Sequence, residues 1–148
     1  AGVETMCKIQ INRHINVHGA YNYLYTSKDA DGVRLSSSSP HSGNIRAEYN
    51  TRIPRYATVV NLSGNIMGKK KFDVLDELEI DGKKVEAYYQ AKVNPYCLWD
   101  LTVSQYIMQN LRITAGITNL FDYTSDRVTF NTSTSPGRNY FIACNYTL

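Results

Sequence analysis

The last ten residues, Asn139–Leu148 (NYFIACNYTL), alternate between two kinds of side chain up to the final residue. One parity carries Tyr140, Ile142, Cys144, Tyr146 and Leu148; the other carries Asn139, Phe141, Ala143, Asn145 and Thr147. A period of two places successive side chains on opposite faces of a β-strand, so one face here is apolar and the other small or polar. Soluble domains commonly end in a polar, frayed tail. A closing strand whose apolar face runs through the last residue points instead to a barrel standing in lipid.

The alternation recurs. Val3–Ile11 sets Val3, Thr5, Cys7, Ile9 and Ile11 against Glu4, Met6, Lys8 and Gln10. Ile15–Thr26, Gly43–Thr51, Tyr56–Ile66, Cys97–Ile107 and Leu111–Ile117 repeat the pattern, with Tyr21, Ile45, Leu62, Leu101 and Ile113 on their apolar parities. With the terminal stretch these make about seven strands. Most match the roughly 9–11 residues that a tilted strand needs to cross a bilayer, more than the usual five or six of globular sheets. The expected fold is an all-β antiparallel meander forming part of a transmembrane β-barrel.

The connections alternate in length as such a meander requires. Asn12–His14, Arg52–Arg55 and Met108–Asn110 are short; Ser27–Pro40, Met67–Tyr96 and Leu120–Arg138 are long. Outer-membrane barrels have short periplasmic turns and long external loops, whereas a sandwich has no reason to sort its loops by side. The longest connection contains LEIDGKKVEAYY, in which Asp81-Gly82 between β-type runs predicts a projecting hairpin. Its Lys69-Lys70-Lys71 run reads as a solvated surface or, more sharply, as a contact for anionic lipopolysaccharide.

Composition fits this picture. Tyrosine stands out, with 12 Tyr against 4 Phe and 1 Trp. On the apolar parities, Tyr25, Trp99 and Tyr140 fall toward the long loops, and Tyr49, Tyr56 and Tyr146 toward the short turns, as two interfacial girdles would. The net charge of +3 gives no reason to expect nucleic acid. No apolar run approaches the 18 or so residues of a membrane helix. No leader segment opens the chain, as expected of a mature, trimmed or partial chain of an exported protein. Cys7, Cys97 and Cys144 lie on apolar parities without metal-ligand spacing and read as small apolar residues. His14 and His18 do not converge on a strand–turn path, and no nucleophile–base pair, metal set or cofactor motif emerges.

Two stretches carry a family resemblance. Asn119-Leu120-Phe121-Asp122, then Pro136-Gly137-Arg138 with an aromatic pair opening the final strand, resembles the C-terminal signature of TonB-dependent outer-membrane receptors. Ser39–Asn44 resembles the opening of an earlier strand of that family, and Ala20–Leu24 the strand before it. The likeness is to receptors for siderophores, haem and vitamin B12 more than to glycan importers. Leu148 stands where the family usually ends in Phe or Trp, with Tyr146 two residues before it in the terminal assembly signal.

The resemblance implies a barrel of about 22 strands around a plug. Residues 1–148 would then be the C-terminal part of that barrel, roughly its last third, with no plug domain. It implies no enzyme activity and no cofactor. The implied partners are the rest of the barrel and the plug, the TonB complex acting through that plug, outer-membrane lipid or lipopolysaccharide, and a surface lipoprotein. The implied location is the bacterial outer membrane, and the implied task is import of an iron chelate, haem or cobalamin. Arg46, Glu48, Asp100 and Arg112 share the polar parity and are expected to line the lumen as a salt-bridged wall facing the plug. Tyr88, Tyr89, Tyr96, Tyr123 and Phe130 are the ligand-contact candidates of the long loops, because planar or apolar ligands favour aromatic walls. Arg138 is expected to bond a carboxylate or carbonyls where the last loop meets the last strand, with Gly137 permitting the turn. The alternative reading, a soluble β-sandwich or adhesin, predicts that Tyr21, Leu62, Ile113 and Ile142 are buried between two sheets.

Overall fold

Alternation becomes a sheet only if neighbouring strands pair in a register that keeps like parities together. The computed structural model describes residues 1–25, 39–80, 83–108, 110–124 and 137–147, through the backbone alone within 71–91. Its strands, in chain order, are β1 (Gly2–Gln10), β2 (Ile15–Leu24), β3 (His41–Asn50), β4 (Thr58–Met67), β5 (Lys70–Ile80), β6 (Lys83–Val93), β7 (Tyr96–Ile107), β8 (Leu111–Thr118) and β9 (Asn139–Tyr146). Seven of them form one antiparallel sheet in the order β1-β2-β3-β4-β7-β8-β9, and β5 and β6 form a separate hairpin.

The registers join every apolar parity to the next. Ile9, Val17, Ala47, Leu62, Leu101, Ile117 and Tyr140 make one unbroken cross-strand row over all seven strands. On the other face, Lys8, His18, Arg46, Ser63 and Asp100 make a row. Gln10, Asn16, Glu48, Asn61, Thr102, Gly116 and Phe141 make another. A one-residue slip anywhere would turn a strand's apolar set onto the polar face.

No second layer covers the apolar face among the described residues, and Val93 is their one buried apolar side chain. Ile142 is 81% exposed, Tyr21 48% and Ile113 38%. Each large apolar side chain left in water forgoes about 1.5–3 kcal/mol, so a surface like this belongs in an apolar medium. The sandwich's prediction of buried Tyr21, Ile113 and Ile142 is not met.

The expected hairpin is present, and its placement is informative. Met67↔Tyr96 ends the β4–β7 ladder and Lys70↔Val93 begins the β5–β6 ladder, with two residues passed over on each side. The hairpin therefore continues the β4–β7 register, at about 3.4 Å per residue, for 11 more residues on each strand. The break falls at Gly68-Lys69 and Asn94-Pro95. Pro95 has no N–H to give to a ladder, while the Gly68 N–H continues the β3–β4 register to the His41 carbonyl at 2.8 Å. Asp81-Gly82, the predicted turn, lies outside the described residues, as do residues 26–38 of the first long connection.

Strand ends differ from expectation in small ways. Tyr56 precedes β4 rather than opening it, because Arg52 and Arg55 adopt positive φ and the Tyr56 N–H turns back to the Ile53 carbonyl. The terminal strand ends at Tyr146, although the Thr147 N–H still bonds the Asn110 carbonyl; Leu148 lies outside the described residues.

Two glycines sit directly opposite aromatic rings. A Cβ on Gly64 would lie 2.9–3.0 Å from Trp99 ring carbons on the apolar face, and one on Gly116 would enter the Phe141 ring on the polar face. An aromatic laid over a cross-strand glycine restores the packing the glycine lacks. Gly64→Val is therefore expected to cost about 1–3 kcal/mol by overpacking. In a full-length receptor unfolded from vesicles by urea, a Trp99→Ala background should recover part of that loss. An equal loss in both backgrounds would show that the ring is not the obstacle.

Candidate functional site

The described residues with the densest polar chemistry form the corner where β8 leaves the sheet and β9 returns. Asn119 follows β8 with φ 52°, a left-handed conformation that Asn tolerates better than most residues. It is 5% exposed. Its Oδ1 accepts the Tyr123 N–H and its Nδ2 donates to the Tyr123 carbonyl, both at 2.8 Å. Its own N–H donates to Asp100 Oδ1 at 2.9 Å, and its carbonyl accepts the Asp122 N–H at 2.8 Å. The Leu120 N–H donates to the Trp99 carbonyl at 2.7 Å, keeping the departing chain against β7. One buried residue thus ties the NLFD segment together, its side chain holding the Tyr123 backbone and its own backbone meeting Asp100 and Asp122.

Asp122 also adopts positive φ, 56°. Its Oδ1 accepts the Arg138 backbone N–H at 2.6 Å, tying the far end of the last long loop to its beginning. The glycine before Arg138 does not sit in a left-handed turn; a Cβ on Gly137 would stand 2.9 Å from that same carboxylate oxygen, which would have to shift to make room. The left-handed positions of this corner are Asn119 and Asp122. A hydrogen bond and charge from the Tyr140 phenol, with Asp122 acting in the same direction, push the exposed Arg138 guanidinium above its ordinary pKa. Pro136 lies outside the described residues.

This corner brings two ligand-contact candidates together. Tyr123 stacks on Tyr96, with ring centroids 5.0 Å apart and planes 10° from parallel. Tyr96 opens β7 on the polar parity, so the stacked pair stands at the long-loop end of the polar face. Tyr88 and Tyr89 lie in β6, within the stretch described through the backbone alone. Phe130 lies outside the described residues.

The four wall residues divide. Arg46 donates through Nε and Nη2 to Asn61 Oδ1 at 3.2 and 2.9 Å and lies 3.6 Å from Glu48. Asp100 shares a cross-strand row with Arg46 through Ser63, yet its carboxylate serves the Asn119 corner. Arg112 faces Tyr106 across β7–β8 and holds its guanidinium 6.0 Å from that ring. A polar face of this kind can present guanidinium, carboxylate and amide groups to a protein surface or a polar solute. Among the described residues no group of three or more His, Cys, Asp or Glu side chains is placed to hold a metal ion.

Sequence reasoning singled out the NLFD segment and Arg138, though it is the Arg138 backbone N–H and not its guanidinium that meets a carboxylate; it missed Asn61, Asp100's service to Asn119, and the Tyr96–Tyr123 stack. Only Asn119 left a local signal, an Asn at the end of an alternating run. The other contacts join residues distant in the chain.

The sequence matches the family "TonB dependent receptor-like, beta-barrel" over residues 1–120. No curated protein matches it. Among solved structures it is similar to the ferripyoverdine receptor of the outer membrane of Pseudomonas aeruginosa bound to ferripyoverdine, at 18% identity and TM-score 0.74, over 98% of this chain and 19% of that one. It is equally similar to the ferric enterobactin receptor PfeA of P. aeruginosa in complex with enterobactin, at 18% identity and TM-score 0.74, over 98% of this chain and 22% of that one. The FpvAI–pyocin S2 complex also matches, at 17% identity and TM-score 0.74, over 98% of this chain and 18% of that one. The chain thus spans about a fifth of the length of these receptors.

Proposed function

This chain belongs to the TonB-dependent receptor β-barrel family of the outer membrane, and on that premise we propose that it is the C-terminal part of a receptor importing an iron chelate of the siderophore class. The observation that carries the reading is the sheet itself: seven strands with one apolar and one polar face, superposing over 98% of the chain on receptors whose structures hold ferripyoverdine and enterobactin. Two such neighbours favour an iron chelate over haem or cobalamin.

In this reading the segment supplies barrel wall and external loops. A plug domain of the family's kind closes the lumen against the row that includes Arg46, and the TonB complex acts through that plug. Asn119 and Asp122 hold the last loop so that the Tyr96–Tyr123 pair faces the ligand from outside. Stacked phenols suit planar catecholate or aromatic chelating groups.

The test is uptake of radioactive iron chelates by cells carrying the full-length gene as their one such receptor. Uptake is expected to vanish when TonB or the proton gradient is removed, and Tyr123→Ala should weaken binding of the imported chelate about tenfold. Iron uptake that is indifferent to TonB, or absent for every chelate class, would reject the reading. Unchanged affinity in Tyr123→Ala would reject the role of the tyrosine pair alone.

A further inference from the structure

The rim opposite the long loops carries a charge pattern that the import reading does not use. The turns at residues 11–14 and 51–57, with Met108 and Asn110 of the third, lie side by side and are bonded into one edge. The Asn50 N–H donates to the His14 carbonyl at 2.8 Å, and the His14 Nδ1 bonds the Asn50 carbonyl at 2.8 Å. The Tyr106 N–H donates to the Ala57 carbonyl at 2.8 Å, and the Met108 N–H to the Arg55 carbonyl.

Along this edge stand Arg13, Arg52 and Arg55, while none of the chain's 13 acidic residues lies in the three turns. The one ion pair among the described residues joins Arg46 to Glu48, so these three guanidiniums have no carboxylate partner there. Arg52 and Arg55 hold positive φ, 53° and 69°, a region side-chain-bearing residues rarely occupy. Such outliers concentrate at functional places. The same edge exposes Ile11, Ile53, Tyr56 and Met108, continuous with the apolar face of the sheet. An open hollow of about 280 Å³ is lined by Arg55, Tyr56, Met108 and Asn110.

The geometry points to a binding site for an anionic phospholipid on this rim, its phosphodiester held by Arg52 and Arg55 with Arg13 nearby, and its acyl chains lying on the apolar face. Guanidinium forks match phosphate oxygens in paired hydrogen bonds. Positive charge with no acidic counterweight selects a net-negative headgroup over a zwitterionic one. The apolar side chains beside the arginines suit a lipid and have no use for a free phosphate ion. The inference rests on the reading that the strands cross the outer membrane with the short turns on the periplasmic side.

Native mass spectrometry of the full-length receptor, released from micelles containing phosphatidylglycerol or phosphatidylcholine, tests it. The wild type should retain phosphatidylglycerol about tenfold better than phosphatidylcholine. The combined Arg13→Gln, Arg52→Gln and Arg55→Gln variant should lose that preference, while Lys92→Gln, in the β5–β6 hairpin beyond the opposite end of the sheet, keeps it. If the combined variant does not insert, Arg52→Gln alone should still reduce it. Equal retention of both lipids by the wild type overturns the proposal, as does displacement of the lipid by inorganic phosphate. Thiol labelling of Ile53→Cys in intact cells separates the two failures. Labelling from outside overturns the membrane orientation; protection together with lipid indifference overturns the headgroup site alone.

Discussion

Leu62→Arg should remove about 2–4 kcal/mol of barrel stability in a bilayer, the cost of a charge on the lipid face near the midplane, whereas Ser63→Arg, one residue along, should remove much less. Leu62 lies inside β4, in the apolar row that crosses all seven strands. Ser63 lies on the other face between Arg46 and Asp100, where a guanidinium meets polar groups. The measurement is urea titration of the full-length receptor folded into vesicles. Equal losses at the two positions would mean that the faces differ little in polarity of surroundings, and the membrane reading of the sheet would fall. The contrast is demanding because neighbouring residues share backbone, strand and depth, and differ in face alone.

Asn119→Ala should cost about 3–4 kcal/mol. Losing two side-chain hydrogen bonds accounts for about 1 kcal/mol each, and an alanine held at positive φ adds about 1–2 kcal/mol. Asn119→Gly keeps the conformation and loses the bonds, so it should cost about 2 kcal/mol. The pair separates conformation from bonding. The same urea titration reads the stability, and limited proteolysis should show the last long loop cut faster in both variants, because Asn119 holds the Tyr123 backbone. Wild-type stability in Asn119→Ala would show that the corner is not organised by this side chain.

Much of the fold was legible because period two is a local property. In the stretch ending at Tyr146, alternation assigns each residue to a face before any partner is known. It also places Cys7, Cys97 and Cys144 on apolar parities, and the short connections at Asn12–His14 and Met108–Asn110 imply adjacent antiparallel strands. The hairpin around Asp81-Gly82 was legible from its turn residues. What alternation could not supply was the continuity of that hairpin with β4–β7. That depends on the ladder resuming in the same register past Asn94-Pro95, where Pro95 has no N–H to give. The family motif pointed to Asn119 and Asp122, but not to their left-handed backbones, nor to the use of Asp122's carboxylate on the Arg138 N–H.

The sequence by itself determined that this chain makes long strands with one face for lipid and one for polar surroundings. Which side chain goes to which face follows from covalent geometry within each strand. Tertiary structure alone decided which strands are neighbours, that every apolar parity meets its like across seven strands, and which distant residues touch. Trp99 finds Gly64 and Tyr96 finds Tyr123 only after the register is set. Register is a property of pairs, set by turn closure and cross-strand packing together, so no single stretch of sequence contains it.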